Sequence, residues 1–145
     1  MISLTALCGA LAQQIRERTG VPAFCGRLHG AVYPAYLITA KSGGGELFAG
    51  GRQLLRRLDV CIRCAAGRGR DEDGERALLD ALFPAVLPHF SAGGRVFCPQ
   101  GLTADEEDGQ PLLRFTLEFC DVAGDSAAAP PPAMDTLQFR LGDEP

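Results

Sequence analysis

The sequence of 145 residues has few of the features that reveal an activity. It contains only two histidines, His29 and His89, and neither has a Ser or Cys nearby in a nucleophile-elbow context. No segment approaches the ~18 consecutive apolar residues of a membrane span. The first ten residues also lack the basic start of a secretory signal. These absences predict a protein that is not an enzyme and has no membrane partner.

The spacing of the six cysteines does not match a metal-binding motif. Cys61 and Cys64 have the spacing of half a zinc site, but no second pair and no His-x-x-x-His follows them. They also fall in a predicted strand, where residues three apart point to opposite faces. We therefore expect no zinc and no other cofactor. Because the compartment is expected to be reducing, we also expect free thiols. A hydrolase or transferase using Cys61 or Cys64 with His29 remains an alternative.

The charges argue against two further classes. A net charge of −4 disfavours specific nucleic-acid binding, which needs clustered cations to neutralise phosphates. The arginines of 52–63 are interpreted as solvated charges on a strand. The run Asp105–Asp108 is interpreted as an exposed acidic turn, and a solvated turn does not separate carboxyl pKa values as acid–base catalysis requires.

Two amphipathic helices are predicted. In the first, Leu4, Leu7, Cys8, Leu11 and Ile15 share one face, Ser3 caps the start, and the helix ends near Thr19–Gly20. The second runs from Glu75 to about Leu87, and its apolar stripe is Leu78, Leu79, Leu82, Phe83 and Val86. Pro84 should kink or shorten this second helix.

The strand signals are less regular. Short strands are predicted over Phe24–His29 and Pro34–Ala40, and a long one over Arg52–Ala65. Between the last two, Lys41–Gly51 has five glycines in eleven residues and predicts a hairpin with a long, mobile tip. Arg95–Thr103 is a strand that Pro99 confines to an edge or a bulge.

The closing strand carries the clearest pattern. Leu113, Phe115, Leu117 and Phe119 alternate with Arg114, Thr116, Glu118 and Cys120, which places four apolar side chains on one sheet face.

The order helix–hairpin–helix–hairpin predicts an α+β fold, with two helices packed on one face of a mainly antiparallel sheet. Residues 1–122 are predicted to form a single domain, since a chain of this length suits one domain and can bury roughly 70% of its unfolded surface. Residues 123–145 are predicted to be an Ala/Pro-rich flexible tail with a possible short strand at 134–141.

Three segments resemble a known family, the small tail terminator (minor capsid) proteins of siphophage-like prophages in Gram-positive bacteria. They are Tyr33-Pro-Ala-Tyr-Leu-Ile38, Arg56-Arg-Leu-Asp-Val-Cys-Ile62, and the hairpin Asp108-Gly-Gln-Pro-Leu-Leu-Arg-Phe-Thr-Leu-Glu-Phe119. A Glu-rich helix start at Asp71–Arg76 adds to the resemblance. It covers about residues 1–122, and its motifs are hydrophobic patterns and not catalytic signatures.

The resemblance implies a structural role in a virion assembled in the cytoplasm of a bacterial host. Such proteins form a homo-oligomeric ring, typically a hexamer, that caps the tail tube and provides the surface joining it to the head. The partners are then other copies of the chain, the tail tube protein and a head–tail connector protein. The candidate interface residues are Glu46, Leu47, Phe48, Arg52, Arg56, Arg114 and Glu118.

A small α+β module that binds a metabolite or a partner protein is the alternative, because such folds carry many functions. A pocket lined by convergent polar groups would favour it, and the sequence shows none.

Overall fold

The computed structural model describes residues 2–26, 33–48, 50–51, 53–67 and 71–122, without the side chains of Phe48 and Val122. Two helices and seven strands follow one another along these residues: α1 (Leu4–Thr19), β1 (Ala23–Cys25), β2 (Ala35–Phe48), β3 (Gln53–Ala65), α2 (Glu72–Val86), β4 (Phe90–Ala92), β5 (Arg95–Phe97), β6 (Gln100–Glu107) and β7 (Gln110–Val122). In this part of the chain, neither helix has the length and apolar content needed to cross a bilayer.

Both helices begin and end for local reasons. The Ser3 hydroxyl accepts a hydrogen bond from the Ala6 N–H, and Gly20 takes a left-handed conformation that ends α1, as predicted. Helix α2 starts three residues earlier than predicted, because the Asp71 carboxylate accepts a hydrogen bond from the Gly74 N–H. Pro84 lies inside the last turns of α2, which continues to Val86.

The main sheet has the order β1-β2-β3-β7-β6. All its pairings are antiparallel except that of β1 with β2, which is parallel. The α+β class and the mainly antiparallel sheet are therefore confirmed. The simple helix–hairpin–helix–hairpin order is not confirmed. β2–β3 and β6–β7 are antiparallel hairpins, but β1 adds a parallel strand beside β2, and β4 pairs with β5 in a separate two-stranded sheet.

Both helices pack on one face of the main sheet, which we call the helix face. The core combines Leu7, Leu11 and Ile15 of α1 and Leu78, Leu82 and Val86 of α2 with Tyr36, Ile38, Val60, Ile62, Leu113, Phe115 and Leu117 of the sheet. The alternation in β7 thus places its apolar row as predicted. The opposite face, which we call the open face, carries the polar residues of the same strands.

The predicted glycine-rich loop is mostly strand. β2 continues through Gly43, Gly44 and Gly45 to Phe48, paired with β3 along its length, so the hairpin turn begins only after Phe48. The register shifts between Ser42 and Gly44. A Cβ at Gly43 would lie 2.8 Å from the Asp59 carboxylate, so a larger residue here would require the Asp59 side chain to move. Glycine disfavours strands when considered alone, but the long partner strand overrides that preference.

The region after α2 also differs from the prediction. Gly93 and Gly94 form the turn of the β4–β5 hairpin, and the predicted strand Arg95–Thr103 is split into β5 and β6 at Cys98–Pro99. β6 is an edge strand with an irregular register between Gln100 and Thr103, as expected after a proline. The start of the predicted strand 24–29 belongs to β1, which ends at Cys25, and its residues 27–29 lie outside the described part. Residues 123–145, with the predicted strand 134–141, also lie outside it.

Candidate functional site

The long hairpin of the sheet has an exposed first strand. We call Lys41–Phe48 of β2, Gln53–Leu58 of β3 and Leu117–Val122 of β7 the arm. Every residue from Lys41 to Leu47 is exposed. β1 pairs only with Tyr36–Ile38, so among the described residues no strand pairs with the outer edge of β2 beyond that point.

The register divides the predicted interface residues between the two faces of the arm. Leu47 pairs with Leu54, which shares a face with core residue Leu58, so Leu47 lies on the helix face. Its side chain is 61% exposed. Glu46 pairs with Leu55 and lies on the open face. Glu46 and Leu47 therefore cannot contact one partner surface together. Arg52 and the side chain of Phe48 lie outside the described part.

Glu118 forms an exposed ion pair on the open face of the arm. Its Oε2 atom accepts hydrogen bonds from Nε of Arg57 at 3.0 Å and from Nη2 of the same guanidinium at 2.7 Å. The two side chains are 50% and 36% exposed, so the pair contributes at most about 1 kcal/mol to folding. Both charges are available to a partner.

Arg56 is occupied within the chain. Its Nη1 donates to the carbonyl of Ile2 at 2.6 Å and to Oδ2 of Asp121 at 3.2 Å, and its side chain is only 15% exposed. Arg95 donates to Oδ1 of the same carboxylate at 3.1 Å, and both guanidinium groups lie over the Phe119 ring. The interpretation of Arg56 as a solvated strand charge is wrong: this cluster joins the N-terminal segment, β3, β5 and β7.

Sequence reasoning missed a cleft of about 530 Å³ on the open face of the sheet. Its polar lining comes from four strands: Thr39 and Lys41 of β2, Asp59, Cys61 and Arg63 of β3, Thr103 and Glu107 of β6, and Arg114 and Thr116 of β7. The alternation of polar residues was visible in the sequence. The signal that was missing is the strand order, which places β2 and β3 beside the hairpin of β6 and β7.

Ion pairs cross this cleft. Arg114 lies 3.3 Å from Oδ2 of Asp105 and 3.6 Å from Oε2 of Glu107, and Glu107 also pairs with Arg63. The run Asp105–Asp108 is largely exposed, as expected, but it is not all turn, because Asp105–Glu107 belong to β6 and only Asp108 and Gly109 form the turn. The cleft presents charges of both signs, which fits a polar ligand that carries both donors and acceptors.

The structure describes both cysteines of the alternative cysteine mechanism but not its histidine, His29. Cys64 is fully buried on the helix face, where burial and the nearby Glu75 raise the pKa of its thiol to about 12. Cys61 lies on the open face, between Thr39 and Arg114 in the strand register. His29 is outside the described part, and His89 is exposed. The described residues contain no group of three His, Cys, Asp or Glu side chains that could hold a metal ion.

Comparisons with known proteins add little. No family model matches the chain, and no curated protein matches it. One solved structure, whose description names no function, is similar at 18% sequence identity over 84% of this chain and 94% of the other, with a TM-score of 0.41. A similarity at this level determines neither fold nor function.

Proposed function

We propose that the protein is a tail terminator: a homo-oligomeric ring, typically a hexamer, that caps a phage tail tube and forms the surface joining tail to head. The resemblance of 33–38, 56–62 and 108–119 to that family introduces the proposal. The single structural observation that supports it is the arm, where Leu47 is 61% exposed beside a strand edge that no described strand covers.

A ring needs an interface between two different surfaces of each copy, so that the contact repeats until it closes. The arm offers one such surface. An exposed leucine on a long strand edge is a liability for an isolated protein, and contact with a neighbouring copy would remove it from water. The exposed pair Arg57 and Glu118 lies on the other face of the arm, where it is available for a separate polar contact.

Microscopy and a matched pair of variants test the proposal. Negative-stain images of the purified protein at high concentration, and of tail tubes incubated with it, should show rings. Leu47→Glu should lower the ring fraction by about tenfold or more. The variant loses the apolar contact and would place an unpaired charge inside the interface. Val96→Glu is the control, since Val96 is 60% exposed but lies on β5.

Two results would contradict the proposal. One is a monomeric mass in sedimentation at every concentration, together with tail tubes that carry no ring. The other is an equal loss of rings in Leu47→Glu and Val96→Glu, which would show that any added surface charge prevents assembly.

The cleft supports a second candidate function, a small α+β module that binds a polar metabolite or a peptide. Its volume of about 530 Å³ falls within the range of small-molecule sites. A thermal-shift screen of zwitterionic metabolites tests this function. A ligand that stabilises the wild type and Leu47→Glu but not Arg114→Ala would support it, and a screen without any such ligand would count against it.

A further inference from the structure

Two of the six cysteines meet between α1 and β1. We infer that Cys8 and Cys25 form an oxidation site, at which a hydroperoxide converts the two thiols into a reversible disulfide. Both thiols are free in the structure, and Cys8 is buried while Cys25 is exposed. An oxidant can therefore reach one member of the pair from water, and the second member lies behind it. Redox-sensitive cysteines commonly have this arrangement of an accessible thiol beside a resolving one.

The strand register directs the Cys25 side chain towards α1. Ala23 belongs to the core on the helix face, and Cys25 follows two residues later on the same face. Cys25 is also paired with Ile38, another core residue of that face. Among the described strands, β1 pairs with β2 alone, so Cys25 lies at the edge of the sheet and its thiol remains open to solvent.

The helix brings Cys8 to the same place. α1 ends at Gly20, and β1 then runs back beside it, where Nη1 of Arg16 donates to the carbonyl of Ala23 at 2.8 Å. Nearer the start of α1, the Cys8 thiol donates a hydrogen bond to the sulfur of Cys25. The two sulfur atoms are therefore neighbours before any oxidation, which is the first requirement for a disulfide.

The surroundings of the two sulfurs favour Cys25 as the attacking thiol. Burial raises the pKa of both thiols, that of Cys8 to about 11. At Cys25, the Arg16 guanidinium and the hydrogen bond from Cys8 oppose the effect of burial, because both stabilise the thiolate. At Cys8, the proximity of Cys25 adds to the effect of burial. Cys25 therefore forms the thiolate more readily, and Cys8 is the resolving thiol.

The oxidation proceeds in two steps. The Cys25 thiolate attacks one oxygen of hydrogen peroxide, the O–O bond breaks, and the other oxygen leaves as water with the proton that Cys25 lost. Cys25 is then a sulfenic acid. The Cys8 sulfur attacks the Cys25 sulfur, the S–S bond forms, the S–O bond breaks, and the hydroxyl leaves as water with the proton from Cys8. The two thiols lose two electrons, which reduce the peroxide, and a thiol reductant reverses the reaction.

The disulfide would join the first half of α1 to the edge of the main sheet. It closes a short loop and so restricts the unfolded chain, and oxidation should raise the melting temperature by about 5–10 °C. The site belongs neither to the arm nor to the cleft, so its oxidation does not depend on the proposed ring or on a ligand.

Peptide mapping of the full-length protein tests the site. The reduced protein is treated with hydrogen peroxide, the remaining thiols are alkylated, and the product is digested with trypsin without reductant. Trypsin cleaves after Arg16, Arg18 and Arg27, so the disulfide should join peptide 1–16 to peptide 19–27. Dithiothreitol should separate these peptides and return the melting temperature to that of the reduced protein.

A matched pair of variants isolates the contribution of this site. Cys25→Ser should lose both the linked peptides and the rise in melting temperature, and it should fold because Cys25 is exposed. Cys61→Ser removes a half-buried thiol from the open face and should retain both.

Three outcomes would overturn the inference. The first is alkylation of both Cys8 and Cys25 after treatment with peroxide. The second is a Cys25 that becomes a sulfinic acid or links two copies of the chain while Cys8 remains a thiol, which would show that the two sulfurs do not meet. The third is an equal rise in melting temperature in the wild type and Cys25→Ser, which would assign the stabilisation to another site.

Discussion

Truncation of Phe115 to alanine is the sharpest test of how the sheet faces are assigned. Phe115 is 3% exposed, lies opposite Val60, and belongs to the core formed with both helices. Phe115→Ala should lower the free energy of unfolding by about 3–5 kcal/mol, since the removed ring leaves a cavity that the surrounding helices fill only in part. For a domain of this size that corresponds to a decrease of about 10–15 °C in melting temperature.

Urea denaturation followed by circular dichroism measures the loss. Glu118→Ala is the control, because Glu118 is on the same strand with its side chain on the open face, and its exposed ion pair is worth about 1 kcal/mol or less. A Phe115→Ala variant as stable as the wild type would refute the assignment. The apolar row of β7 would then be an interface, and the open face would be the core.

Three further predictions follow from the structure. Asp121→Ala should destabilise the fold by about 3 kcal/mol in the same denaturation assay, because it leaves the nearly buried Arg56 without its carboxylate. A loss of stability no larger than that of Glu118→Ala would contradict the role of the cluster of Arg56, Arg95 and Asp121. Stability should decrease at alkaline pH, because burial raises the pKa of Cys8 from 9.0 to about 11 and that of Cys64 to about 12, so the fold favours the neutral thiols. The stability gained from keeping these thiols neutral is complete below pH 9 and is lost as the pH rises towards 12. A urea midpoint that stays constant from pH 8 to 11 would disprove this pH dependence. Elemental analysis should find no stoichiometric zinc, since Cys61 and Cys64 lie on opposite faces of β3; one zinc per chain would show that the metal prediction is wrong.

Periodicity alone predicted the main parts of the fold. The helical stripe of α1, the Ser3 cap, and the alternation of Leu113, Phe115 and Leu117 each have a local cause that is complete within a few residues. Their assignment to one core follows because each element has only one apolar face to bury.

The remaining features depend on contacts between distant segments. β2 remains a strand at its three glycines only because it is hydrogen-bonded to β3 along its whole length. β1 pairs parallel with β2, and no local sequence signal predicts that pairing. The burial of the Arg56 side chain depends on its pairing with Asp121, which is 65 residues away. The cleft likewise takes its lining from β2, β3, β6 and β7, so no single segment encodes it.

The position of β7 in the sheet has a consequence for biosynthesis. β7 lies between β3 and β6, so an inner strand of the sheet leaves the ribosome after every other element of the described domain. Until Val122 has emerged, β3 and β6 lack their shared neighbour, and the core side chains of both helices lack the apolar row of β7. Because this contact joins distant parts of the chain, folding is completed only after release of the last strand. The nascent chain therefore exposes apolar surface to chaperones throughout most of its synthesis.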